Sequence, residues 1–223
     1  SSDVCSSDLA DQLAKLQWNL AESHVLTMSL LSNSEYFGNA GLGPQRPLPA
    51  TTNFLRRGTT AAVSNRNLFR GAMFETTVQW SHRRESNLAK GTSMLIVQPS
   101  GWSGNFYADQ RARSDRLHAD QNIGLEHNWR GIKHRLKFGG EVDHVSSTLA
   151  ISRRPFQLAN DSGRTLLDVR FRGPDSADVT NVEIGFYAQD RMTLSSRLQM
   201  ELGVRVDREH VVGSTNKIGR AHV

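Results

Sequence analysis

The chain has 223 residues, of which 37% are hydrophobic and 22% charged, with a formal net charge of +5, one cysteine and a mean hydropathy of −0.49. Its longest apolar run is the four residues 94–97, against the roughly 20 that a membrane-spanning helix needs, so no transmembrane helix is present. A disordered tail and a disulfide or thiolate-zinc framework are excluded as well, by apolar content and by cysteine count. A membrane β-barrel is not excluded, because its strands are apolar on one face only.

Two terminal segments are expected to lie outside the natural protein. Residues 218–223, IGRAHV, match the translation of a widely used sequencing adapter, and residues 1–9, SSDVCSSDL, match the translation of its opposite strand. On this reading residues 10–217 are the protein-derived section and an internal piece of a longer gene. That section lacks cysteine, which fits an oxidising extracytoplasmic compartment.

Period-two alternation then runs along the chain in four hairpins. In the first, Leu16, Trp18 and Leu20 alternate with Lys15, Gln17 and Asn19, and beyond a turn near Glu22 come Leu26, Met28 and Leu30 against Thr27 and Ser29. The second pairs a weak strand, residues 59–64, with a clear one. After a turn at residues 65–68, Phe74, Val78 and Trp80 alternate with Glu75, Thr77, Gln79 and Ser81. The third joins residues 117–129, where Leu117, Ala119, Ile123, Leu125 and Trp129 share one parity, through Arg130 to Lys133 into Leu136, Phe138, Gly140 and Val142. The last sets Val182, Ile184, Phe186 and Ala188, with a turn at residues 194–196, before Leu198, Met200, Leu202, Val204 and Val206. The expected fold is all-β, an antiparallel meander of about eight long strands.

Between hairpins the connections are long, roughly residues 38–58, 83–116 and 149–180, with a small hairpin expected at NDSG in the third. Three such connections are unusual in a compact soluble domain. Short turns alternating with long loops, and strands with one apolar face, are the pattern of an outer-membrane barrel. Trp18 and Trp129 beside short turns and Trp80 towards a long loop suit two interfacial girdles. Leu125, Phe138, Phe186, Leu202 and Val204 are then expected to face lipid. Glu126, Lys137, Glu141, Asp143, Gln189, Glu201, Arg205 and Asp207 are expected to face the lumen. The three long connections hold 14 Lys and Arg against 7 Asp and Glu, so a basic outer rim is expected, with Arg111, Arg113 and Arg116 as its candidates. Such a rim suits lipopolysaccharide phosphates or an anionic ligand. Nucleic acid is not expected, since no base-stacking module accompanies the charge.

The stretch VEIGFYAQDRMTLSSRLQMELGVRVDRE, residues 182–209, resembles the barrel of TonB-dependent outer-membrane receptors. The matching positions are Phe186, Tyr187, Ala188, Gln189, Asp190 and Arg191, then Leu198, Leu202, Gly203, Val204, Arg205 and Asp207. HRLKFGGEVDH, residues 134–144, resembles the strand that precedes this hairpin in the same receptors, and the subfamily it resembles is the Oar-like one, with a carboxypeptidase-regulatory-like domain. The resemblance implies an incomplete section of a 22-stranded transmembrane β-barrel closed by an N-terminal plug. It also implies import of a scarce ligand, such as a siderophore, cobalamin, a glycan or a peptide, energised by TonB with ExbB and ExbD. No plug or TonB box is recognisable in residues 10–217. A passive porin or structural barrel and a secreted β-rich adhesin are the alternatives.

No catalytic set stands out. Glu141 and Asp143 share a strand face, but in a hydrated lumen such carboxylates are ordinary. His24, His82, His118, His127, His134, His144 and His210 form no metal-ligand spacing. AKGTS at residues 89–93 lacks the upstream glycine of a phosphate loop. Neither an enzyme nor a resident cofactor or metal is expected, and the localisation implied is the bacterial outer membrane.

Overall fold

Alternation of apolar and polar side chains pays off only if each strand separates two environments, and it specifies register because a one-residue slip would exchange the faces. The computed structural model describes residues 6–172 and 175–213. Eight long strands form one antiparallel sheet: β1 (Ser6–Ala21), β2 (His24–Ala40), β3 (Thr52–Phe69), β4 (Ala72–Ala89), β7 (Ala108–Trp129), β8 (Ile132–Arg153), β11 (Ser176–Ser195) and β12 (Leu198–Gly213). They lie in the order β1-β2-β3-β4-β7-β8-β11-β12, each paired with its neighbour in sequence. Among the described residues β1 pairs only with β2 and β12 only with β11, so the sheet is an open section of barrel wall.

Four short turns stand at one end and three long connections at the other. Two of the turns share a device. Arg70 and Gly71, and Arg130 and Gly131, all have positive φ, between 49° and 84°, the backbone of a type I′ hairpin whose twist matches that of the strands. In both, the arginine lies over the aromatic ring before it, Arg70 on Phe69 and Arg130 on Trp129, each at 5.1 Å.

Strands run further than their alternation. The turn expected at residues 65–68 is strand, and the reversal comes at Arg70 and Gly71. In the fourth hairpin β11 continues to Ser195, past the start of the expected turn. The long connections shrink from the other side, because β7 begins at Ala108, β8 ends at Arg153 and β11 begins at Ser176. At these strand ends polar side chains occupy both faces, so ladder pairing continues while apolar alternation does not.

What remains of the connections is not loose. A 3-10 turn (Leu48–Ala50) occupies the first, β5 (Leu95–Gln98) and β6 (Gly101–Ser103) the second, and β9 (Phe156–Ala159) and β10 (Thr165–Val169) the third. The β9-β10 hairpin is the one expected at NDSG. The four short strands join in one sheet, β10-β9-β5-β6, through parallel pairing of β5 with β9. Of the two terminal segments, residues 6–9 extend β1 and pair with residues 35–38, while residues 1–5 and 218–223 lie outside the described residues.

Candidate functional site

The register places all eight expected lumen residues on one face of the sheet. Glu126 stands opposite Arg135, Lys137 opposite Gln189, Asp143 opposite Glu183, and Arg191 opposite Glu201, every one of these on the face of Glu141, Arg205 and Asp207. Leu125, Phe138, Phe186, Leu202 and Val204 occupy the other face, where Phe186 is 64% and Val204 63% exposed.

The polar face is a run of cross-strand ion pairs. Arg116 donates from Nε to Asp143 at 2.9 Å, and His118 lies 3.4 Å from the same carboxylate. Arg205 holds Asp207 at 2.9 Å and reaches Glu141 on β8. Arg191 meets Glu201 at 2.7 Å, and Glu126 takes both Lys133 and Arg135 at 2.9 Å. Farther round, Arg56 bridges Glu35 at 3.0 Å and Glu85 at 3.2 Å. Oxygens of Glu141, Glu183 and Asp207 come within 4.8 Å of one another, and Arg205 engages two of the three carboxylates.

Glycine and tyrosine complete this face. A side chain at Gly139 would run into the ring of Tyr187, its cross-strand partner, whose hydroxyl donates to Asn122. Lys137 lies 5.4 Å from the centre of the same ring. On the reverse face Phe186 covers Gly140 in the same way. The consecutive glycines of FGGE thus seat the consecutive aromatics of GFYAQD, one on each side of the sheet.

Beyond the strand ends the connections pack into a cap. Arg46 donates from Nε to the Ala50 carbonyl at 2.9 Å, with its guanidinium 5.0 Å from the Trp102 ring and 4.7 Å from Phe106. Tyr107 packs against Phe106, Phe156 and Phe171 at 4.6 to 5.3 Å. Asp109 clasps three strand ends: it accepts from Arg154 at 2.8 Å and from the Ala89 amide at 2.7 Å. Burial opposes its charge, but the Arg154 and Ala89 hydrogen bonds prevail and hold the carboxyl below the usual carboxylate range.

The basic candidates part company. Arg111, Arg113 and Arg116, expected on a loop, all lie within strand β7. Arg116 joins the polar face, whereas Arg111 and Arg113 stand on the opposite one. Sequence reasoning missed Arg46, Asp109, Arg154 and the ring cluster. Its one available signal was density, three aromatics in the six residues WSGNFY against 7% over the chain.

The family model described as TonB dependent receptor-like, beta-barrel, matches residues 16–221. The chain belongs to that family. No curated protein matches it. Among solved structures it is similar to the outer membrane transporter YddB from Escherichia coli, with 15% identity over 90% of this chain and 27% of that one, at a TM-score of 0.67. It is also similar to the ferric-catecholate import receptor Fiu from E. coli, 14% identical over 99% of this chain and 40% of that one, TM-score 0.71. The ferripyoverdine receptor of the Pseudomonas aeruginosa outer membrane is 13% identical over 93% and 31%, TM-score 0.71. At such identity the likeness is one of fold. The chain spans about a quarter to two fifths of these receptors' length. The family and these neighbours are receptor and transporter barrels, not enzymes.

Proposed function

We propose that this chain is wall and outer cap of an outer-membrane receptor that imports a scarce ligand, a siderophore, cobalamin, glycan or peptide, with energy from TonB, ExbB and ExbD delivered through a plug. The observation that carries the reading is the two-faced meander itself. Its apolar side chains, exposed in this section, need lipid, and its ion-paired face needs water and a partner surface. Leu125, Phe138, Phe186, Leu202 and Val204 meet lipid. Glu126, Lys137, Glu141, Asp143, Gln189, Glu201, Arg205 and Asp207 line the lumen, where plug and ligand pass. In a complete receptor the eight strands are part of a 22-stranded wall, with residues 10–217 as the contributing section. The folded cap and its aromatic cluster supply a recognition surface at the outer mouth.

The test is uptake by the complete receptor in cells with and without working TonB, offered ferric siderophores, cobalamin, oligosaccharides and peptides in turn. TonB-dependent accumulation of one class is the expected outcome. Accumulation that is equal without TonB would make the protein a passive pore instead.

A further inference from the structure

The apolar face does not stay apolar to its outer end. Trp80 is 43% exposed on it, and His82, the next residue of the same parity, stacks on Trp80 at 5.9 Å and meets Asp115 at 2.6 Å. One step further comes Arg84, and its two cross-strand partners are Arg57 on β3 and Arg113 on β7. Arg111 stands one same-face step above Arg113. Strand spacing of about 4.8 Å packs the row of three into about 10 Å, and like charges directly opposite one another on a sheet repel.

Charge on the other face is treated differently. Arg56, one residue from Arg57 and facing the other way, is held by two carboxylates, and Arg116, Arg135, Arg191 and Arg205 are each ion-paired. In the outward row Arg113 reaches Asp115 at 2.8 Å, already the partner of His82. Arg57 and Arg84 have no ion pair or hydrogen bond to the described side chains, Arg111 has only the longer-range attraction of Asp109, two residues away on the same face, and all four arginines are exposed. Together they border a groove whose remaining lining includes Leu55, Ser86, Ala150 and Glu85, the last ion-paired to Arg56 of the opposite face. The row sits four residues beyond Trp80, about 13 Å along the strand and roughly 10 Å along the membrane normal at a tilt near 40°. That is headgroup height on the outer leaflet, directly above the apolar strip of Val78, Trp80, Ala61 and Leu117.

We propose that Arg57, Arg84, Arg111 and Arg113 form a seat for the phosphates of a phosphorylated glycolipid, lipopolysaccharide, whose acyl chains lie along the apolar strip below. The inference rests on the proposal that this face meets lipid. A row of planar guanidiniums offers paired donors to phosphate oxygens, the geometry in which arginine outperforms lysine. A bound phosphate also relieves the repulsion within the row.

The test uses the complete receptor, purified from outer membranes and compared with R57Q/R84Q/R113Q, with the milder R84Q and with R56Q on the opposite face. Native mass spectrometry reads lipopolysaccharide retained per barrel, and heat-modifiable gel mobility reads folding. Expected are an about tenfold or greater loss of retention in the triple variant, an intermediate loss in R84Q and none in R56Q. Unchanged retention in a folded triple variant would overturn the seat. So would equal retention of dephosphorylated lipid A, or displacement by millimolar inorganic phosphate, which would point to a soluble anion. Quenching of Trp80 by brominated lipid separates the two readings: a quenched Trp80 with unchanged retention defeats only the seat, and an unquenched Trp80 defeats the lipid-facing assignment beneath it.

Discussion

The long strands and the cap above them are held together in opposite ways. Across the eight-stranded sheet the wall is one residue thick, and Ala72 is the single buried apolar side chain among its described residues outside the cap. In the cap, Ala50, Thr51, Leu95 and Ala159 are all buried, Leu95 to 2% exposure, and Thr52 is buried where β3 enters it. The cap carries a small core like that of a water-soluble domain, whereas the wall relies on ladder hydrogen bonds and on whatever medium covers its faces. A substitution therefore acts through packing in one region and through transfer between media in the other.

Leu95→Ala should cost the cap about 2 to 5 kcal/mol, seen as faster hydrogen exchange at residues 95–103 and 156–169 with the barrel's own exchange unchanged. Loss of protection throughout the barrel would mean that the two regions are one cooperative unit. In the wall, Phe138→Arg near the middle of the apolar band should cost about 2 to 4 kcal/mol in urea titrations of vesicle-folded receptor, and Lys137→Gln far less. Equal costs would place the sheet with neither face in lipid. Gly139→Ala, which drives Tyr187 off its seat and away from Asn122, should cost about 1 to 3 kcal/mol, while Gly71→Asn at the type I′ turn should cost less, since asparagine tolerates positive φ.

Smaller effects concern the clasp and the end of β1. Because the Asp109 carboxyl is held below its ordinary range in the folded cap, its contribution is full at neutral pH and fades as pH falls through that depressed value, below about 4. Protease sensitivity of the cap should rise there, and Asp109→Asn should raise it at neutral pH and flatten the acid response. Removal of residues 1–9 should speed exchange at residues 35–38 of β2 alone and leave β3 to β12 unchanged, since Leu9 is 73% exposed and, among the described residues, β1 pairs only with β2.

The wall was legible because a two-sided environment writes itself into alternate residues. Leu117 to Trp129 and Val182 to Val206 show it directly, and the hairpin order followed from short turns. Where polar residues occupy both faces, as at Arg83, Arg84 and residues 108–116, alternation vanishes and the sequence reads as loop. Arg111, Arg113 and Arg116 stand out in the sequence by their charge, but only register reveals that two of them face away from the third. The cap was hidden for another reason. Its contacts join residues about 60 apart, Arg46 with Trp102 and Leu95 with Phe156, and no local pattern encodes them.

The most direct test of the two-faced wall is a cysteine scan of residues 136–143 on β8 in the complete, membrane-embedded receptor. Leu136, Phe138, Gly140 and Val142 positions should report lipid through quenching by brominated acyl chains, while Lys137, Gly139, Glu141 and Asp143 positions should react with a small water-soluble thiol reagent. Quenching and reactivity that do not alternate with period two would contradict the assignment of this sheet to a transmembrane receptor wall.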